Sequence, residues 1–155
     1  QILRRSGNIE EAVILSTCNR VEIYAVAADS DATRGFSTVR EFLTEFHKHE
    51  GPLGTEFYAL TEPDSLRHLF RVAAGLDSMV MGETEILGQL KQAYQLALEN
   101  GHTGGRLNRA FQRAFVKTTS PMLLFYNTNY NTMRVLFWHQ STTLSCCFYT
   151  IKWVS

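Results

Sequence analysis

Cys18 lies in the stretch Ile14 to Tyr24, ILSTCNRVEIY, with Thr17 before it and Asn19 and Arg20 after it. A cysteine in a turn between two strands has free backbone N–H groups near its sulfur, and Arg20 adds positive charge. Both favour the thiolate, which is the nucleophilic form. Thr17 and Asn19 can donate hydrogen bonds to a carbonyl or carboxylate, and Arg20 can grip a carboxylate through two parallel bonds. The competing reading is a small packing residue beside a surface arginine, which is what most isolated cysteines are. Spacing alone does not separate the two.

A second constellation runs from Arg67 to Gln89, RHLFRVAAGLDSMVMGETEILGQ, and sets polar groups in an apolar frame. Asp77, Ser78, Glu83, Glu85 and Gln89 gather where one helix is expected to end and the next to begin. Glu85 and Gln89 are four apart and share a helix face. Asp77 and Ser78 can equally be read as helix caps with a solvated face beyond.

The elements that must position these residues follow from periodicity. Ala12 to Ser16 is apolar and β-branched, as in a buried strand. Val21 to Ala27 places Val21, Ile23, Ala25 and Ala27 on one face and Glu22, Tyr24 and Val26 on the other, a second strand. So short a connection makes the two an antiparallel pair. Phe36, Val39, Phe42, Leu43 and Phe46 recur at helical spacing between Asp31 and His49. Gly51 to Gly54 is a loop, and Glu56 to Leu60 a short strand. A helix starts at Pro63, carries Leu66, Leu69, Phe70, Val72 and Ala73, and ends or bends at Gly75. Glu83 to Asn100 is a helix with Ile86, Leu87, Leu90, Ala93, Tyr94 and Ala97 in one stripe, capped by Asn100-Gly101. Another runs from Gly105 toward Val116. The fold class is α+β, a small antiparallel sheet packed with helices.

The chain has 155 residues, enough for one ordinary domain. Fifteen basic residues balance fifteen acidic ones, so total charge favours neither a nucleic acid nor a membrane. Three cysteines give no disulfide framework, and reduced thiols fit a cytoplasmic location. The first residues carry no signal-peptide core, and no run of about 18 apolar residues suggests a membrane span. The composition breaks sharply near residue 116. All fifteen acids and twelve of the fifteen basic residues precede Lys117, which leaves −3 before that boundary and +3 after it. Both tryptophans, together with Cys146 and Cys147, lie in the later part.

LSTCNRVEIYAV and HLFRVAAGLDSMVMGETEILGQLKQAY closely resemble the amino-terminal catalytic domain of glutamyl-tRNA reductase, from about Ala12 to about Phe115. The resemblance implies a fragment of an NADPH-dependent enzyme of tetrapyrrole (porphyrin) biosynthesis. In that family the motif cysteine, here Cys18, attacks the ester carbonyl of glutamyl-tRNA. The thioester then takes a hydride from NADPH and leaves as glutamate-1-semialdehyde. His68 matches the family's activity-linked histidine, with a role in polarising or protonating near the ester. Thr17, Asn19, Arg20, Ser78, Glu83, Thr84, Glu85 and Gln89 match positions that hold the glutamyl group. Arg20 would take a carboxylate of the substrate and the acids the α-ammonium. Many relatives have Gln where this chain has Glu85.

The resemblance also implies parts that this sequence does not show. Family members open with a strand bearing an N-H-K motif and a following helix. They continue into a spinal helix, a Rossmann domain for NADPH and a helical domain that makes the homodimer. No G-x-G-x-x-G follows a strand here, so no cofactor site is expected in this chain. Residues 1–116 then form a partial catalytic domain, and 117–155 a non-matching tail, out of frame or read through. The tail has no helical stripe and no face to bury, so it is expected to pack poorly; a divergent β-rich extension is the alternative. His139 and the Cys146-Cys147 pair lack metal-ligand spacing, so no zinc site is expected. Three functions compete: an incomplete reductase domain, a non-catalytic fragment binding glutamyl-tRNA or a partner, and a nonfunctional translated piece.

Overall fold

The computed structural model describes residues 2–18, 20–28, 32–46, 57–77, 85–119 and 148–153. In chain order these form α1 (Ile2–Arg5), β1 (Ile9–Ser16), β2 (Val21–Ala27), α2 (Ala32–Phe46), β3 (Phe57–Leu60), α3 (Asp64–Ala73), α4 (Glu85–Glu99), α5 (Gly105–Thr119) and β4 (Phe148–Trp153). The fold is α+β with a small antiparallel sheet, as the periodicity indicates.

β1 and β2 pair antiparallel from Ser16↔Val21 through Val13↔Tyr24 to Ile9↔Ala27. Apolar side chains line both faces of β2, so it is the middle of the core and not half-solvated. On one face Val13, Leu15, Tyr24 and Val26 pack against Leu69 and Val72 of α3, Leu90 and Tyr94 of α4, and Leu107, Phe111 and Ala114 of α5. On the other, Ile9, Ala12, Ile23 and Ala25 pack against Leu3 of α1 and Val39 and Leu43 of α2. A bulge between Ile9 and Glu11 changes the phase of β1. Ile9 and Ala12 therefore share a face despite their odd spacing, and Glu11 turns to the α5 side.

Glu11 uses that turn to cap α5. Its carboxylate is buried and accepts the backbone N–H groups of Gly104 and Leu107, each at 2.8 Å, and of Arg106 at 3.2 Å. These are donors that the first turn of a helix cannot satisfy internally. Gly104 permits the approach, because a Cβ there would stand 2.7 Å from Glu11 Oε1.

The sheet order is β1-β2-β4-β3, with every described pairing antiparallel. β4 is the departure from expectation. The tail as a whole is expected to pack poorly, yet Phe148–Trp153, in which Tyr149, Ile151 and Trp153 alternate with Thr150 and Lys152, lies between β2 and β3, with Ile151 opposite both Ile23 and Ala59. The pairing with both neighbours is antiparallel, so main-chain hydrogen bonds hold β4 on either side. The remaining tail residues lie outside the described ones. The described helices Ala32–Phe46 and Glu85–Glu99 fall within the spans the sequence suggests, whose outer residues 31, 47–49, 83 and 84 lie outside the described ones, and α1 is a short helix without a sequence signal.

Candidate functional site

β1 and β2 are joined by four residues, Thr17 to Arg20, and Thr17 holds that loop. Its backbone N–H donates to the Arg20 carbonyl at 2.9 Å. Its hydroxyl accepts the Arg20 N–H at 3.2 Å and donates to the Arg20 carbonyl at 3.3 Å. With the loop closed this way, Cys18 stands exposed as a free thiol at its tip. Asn19 lies outside the described residues.

Arg20 turns inward. Its guanidinium is buried and bridges two acids, with Nη1 3.2 Å from Glu22 Oε1 and 3.0 Å from Asp77 Oδ2. Its Nη2 donates to the Asp77 backbone carbonyl. Asp77 reaches this point because α3 ends in a left-handed glycine. Gly75 has φ +68°, its N–H donates to the Val72 carbonyl at 3.0 Å, and the Leu76 N–H donates to Arg71 O at 2.9 Å. This closing motif reverses the chain, and the second residue after it lies on Arg20. Arg71 Nη2 stands 3.7 Å from the other Asp77 oxygen.

Glu22 is the centre of the arrangement. It is fully buried on β2, the tyrosine hydroxyl of Tyr24 donates to its Oε2, and His68 Nε2 lies 3.0 Å from the same oxygen. Burial pushes the Glu22 carboxyl up, but the hydrogen bond and charge of His68, the Tyr24 hydroxyl and Arg20 outweigh it and hold the group below its ordinary value. Tyr24 is raised, first by its own burial and then by the Glu22 charge. His68 extends from the buried face of α3, with its Nδ1 4.0 Å from Asp77 Oδ2. The ring of Tyr58 meets the His68 ring edge-on, with centroids 6.2 Å apart. Burial, then the charges of Asp77 and Glu22, raise the Tyr58 hydroxyl to about 12.

One buried carboxylate thus fixes one ring nitrogen of His68, as in sites where an acid orients a catalytic histidine. The loop bearing Cys18 and the helix bearing His68 are tied together through Arg20, Glu22 and Asp77. Glu22, His68 and Asp77 bring potential metal ligands within 4.8 Å of one another. The Arg20 guanidinium already lies on both carboxylates, and its fixed charge opposes a second cation there.

Of the other expected site residues, Glu85 is the first residue of α4 and exposed, and Gln89 lies one turn on and half-buried. Ser78, Glu83 and Thr84 lie outside the described residues. Sequence reasoning missed Glu22 as a site residue. Its signal was present: an acid in the middle of an apolar strand is buried only with partners. The sequence places Asp77 in the second polar cluster, with a helix cap as the competing reading, but does not assign it to the site.

A family model described as glutamyl-tRNAGlu reductase, N-terminal domain, matches residues 1–119. The chain belongs to this family. It is 47% identical over 114 residues to a glutamyl-tRNA reductase of Marinobacter nauticus, which covers 73% of this chain and 26% of that protein. It is 49% identical over 108 residues to the Syntrophotalea carbinolica glutamyl-tRNA reductase, covering 69% of this chain and 24% of the relative. The Stenotrophomonas maltophilia enzyme is 46% identical over 113 residues, covering 73% and 24%. The chain therefore spans about a quarter of the length of the curated relatives it matches, and the identity concerns their N-terminal domain. No helix among the described residues is long and apolar enough to cross a membrane.

Proposed function

We propose that this chain carries the acylation half of a glutamyl-tRNA reductase reaction, with Cys18 as the nucleophile. The observation that carries the reading is an exposed thiol on a loop whose last residue, Arg20, is anchored to the Glu22–His68 pair. The Cys18 thiolate attacks the ester carbonyl of glutamyl-tRNA, a thioester forms, and the ribose oxygen of the tRNA leaves with a proton. His68, oriented by Glu22, is the group assigned to that proton. Arg20 receives the side-chain carboxylate of the glutamyl group, since the α-carboxyl is the one esterified to the tRNA. Asp77 already places a carboxylate on the same guanidinium, so it holds the position until substrate displaces it. Glu83 and Glu85 are assigned to the α-ammonium, and Thr17, Asn19, Ser78, Thr84 and Gln89 to the rest of the glutamyl group.

Reduction of the thioester to glutamate-1-semialdehyde in the tetrapyrrole pathway needs NADPH as hydride donor. The described strands pair antiparallel, and none leads through a glycine-rich turn into a helix, as a dinucleotide cradle of the parallel type requires. The described residues offer no such cradle, and no step is assigned through that cofactor. NADPH binding and homodimer formation are assigned to further parts of the family enzyme, and the working compartment to the cytoplasm. Residues 1–116 are read as a partial catalytic domain and 117–155 as a segment in which the family match goes no further than residue 119.

The test is to supply glutamyl-tRNA with and without NADPH and follow free glutamate and semialdehyde. The expected result is slow glutamate release that disappears in Cys18→Ser and does not respond to NADPH. Glutamate release at the same rate from Cys18→Ser would refute the acylation reading.

A further inference from the structure

α5 carries Arg106, Arg109 and Arg113 in the sequence GRLNRAFQRAFVKTT, with no acidic residue along its length. Spacings of three and four place them in one stripe. The core side of the helix is Leu107, Phe111 and Ala114, all fully buried, while Arg109 and Arg113 are exposed and Arg106 is half-buried. Among the described residues no acid comes within ion-pair distance of the three guanidinium groups. Arg109 Nε donates only to its own helix, to Gly105 O at 2.8 Å. Glu62 lies near enough to Arg106 for its carboxyl, raised by burial, to be drawn part of the way back down.

Helix stability does not account for this stripe. Arg106 is the second residue of α5, where the helix dipole disfavours a cation. Placement supplies a better account. Glu11 pins the start of α5 beside the early part of β1, and Phe111 meets the Tyr24 ring at 5.3 Å. Tyr24 stands opposite Val13, two residues beyond Glu11 toward the Thr17–Arg20 loop. α5 therefore advances in the direction of β1, toward the end of the sheet that bears Cys18. The stripe rises about 10 Å along that path.

We propose that this arginine stripe docks the phosphate backbone of the tRNA portion of the substrate while the glutamyl end lies at Cys18. The inference rests on the acylation reading above and extends it to the RNA. The whole chain has a net charge of +0, so attraction for a polyanion must come from a local face and not from the total. Recognition of this kind is insensitive to base sequence and falls with salt.

The experiment measures tRNA binding to the full chain across a salt series for three proteins: the unaltered chain, Arg109→Gln with Arg113→Gln, and Arg109→Lys with Arg113→Lys. Circular dichroism checks the fold; both positions are exposed and bury nothing that the core needs. Losing two phosphate contacts should weaken binding about twentyfold at roughly 0.1 M salt and lower the log–log salt slope by about 1.4. The lysine pair should recover most of both. Affinity and slope unchanged in the glutamine pair would overturn the proposal and turn attention to an acidic protein surface as the occupant. A separate arm offers the unaltered chain a small-alcohol ester of glutamate that lacks RNA. Failure of Cys18 to react there would count against the acylation reading, whereas failure of the tRNA arm counts against the stripe alone.

Discussion

At the residue scale, Glu22 decides how the site behaves with pH. Its carboxyl is held below its ordinary value of 4.5 in the folded chain, so folding favours the ionised form. The stability it contributes is complete above that ordinary value and is lost as pH falls through the lower folded value. A denaturation series below the ordinary value should therefore show steeply declining stability, and Glu22→Gln should flatten that decline. The same substitution should cost about 3 kcal/mol near neutral pH, because it breaks a buried ion pair with Arg20 and disturbs the His68 contact. Equal pH slopes in the two proteins would show that Glu22 is not the titrating group. Cys18 and Arg20 were legible in the sequence because their types carry chemistry wherever they stand. Glu22 was less so, since a strand's alternation marks only which face an acid takes, and here both faces are buried.

At the scale of elements, Glu11 and Gly104 form one device. Glu11→Ala removes the acceptor of three backbone N–H groups and should lower stability by about 2 kcal/mol. Gly104→Ala should act in the same direction, because its methyl group would push that carboxylate away. Denaturant midpoints for the two single variants and the double variant check this, and the double should cost less than the sum. Strictly additive losses would separate Gly104 from the cap. The β1–β2 hairpin, α3 and the α4 stripe could be read from sequence because their signals are local: alternation, helical spacing, and Gly75 and Asn100-Gly101 at helix ends. The cap on α5 could not, because its acceptor is more than ninety residues away in sequence and reaches α5 through a bulge that no local pattern announces.

At the scale of the whole molecule, the sheet joins the two compositional parts of the chain. β3 pairs with β4, and β4 alone links it to β2. Deleting residues 120–155 should leave β3 without its described partner and expose one edge of β2, with a lowered melting temperature and aggregation through the freed edges. A truncated chain that melts at the same temperature would show that β4 adds nothing to stability. This pairing was illegible because the partner strands lie ninety or more residues apart in the chain, and the short alternation of Tyr149, Ile151 and Trp153 does not say which strand it joins. The central claim remains that Cys18, on its loop above the Arg20–Glu22–His68 anchor, accepts the glutamyl group. The most direct test is to quench the chain with acid after exposure to glutamyl-tRNA and locate the added mass by peptide mass spectrometry. The glutamyl group should lie on the peptide containing Cys18 and be absent from Cys18→Ser. An adduct on Cys146 or Cys147, or none on any cysteine, would contradict the account.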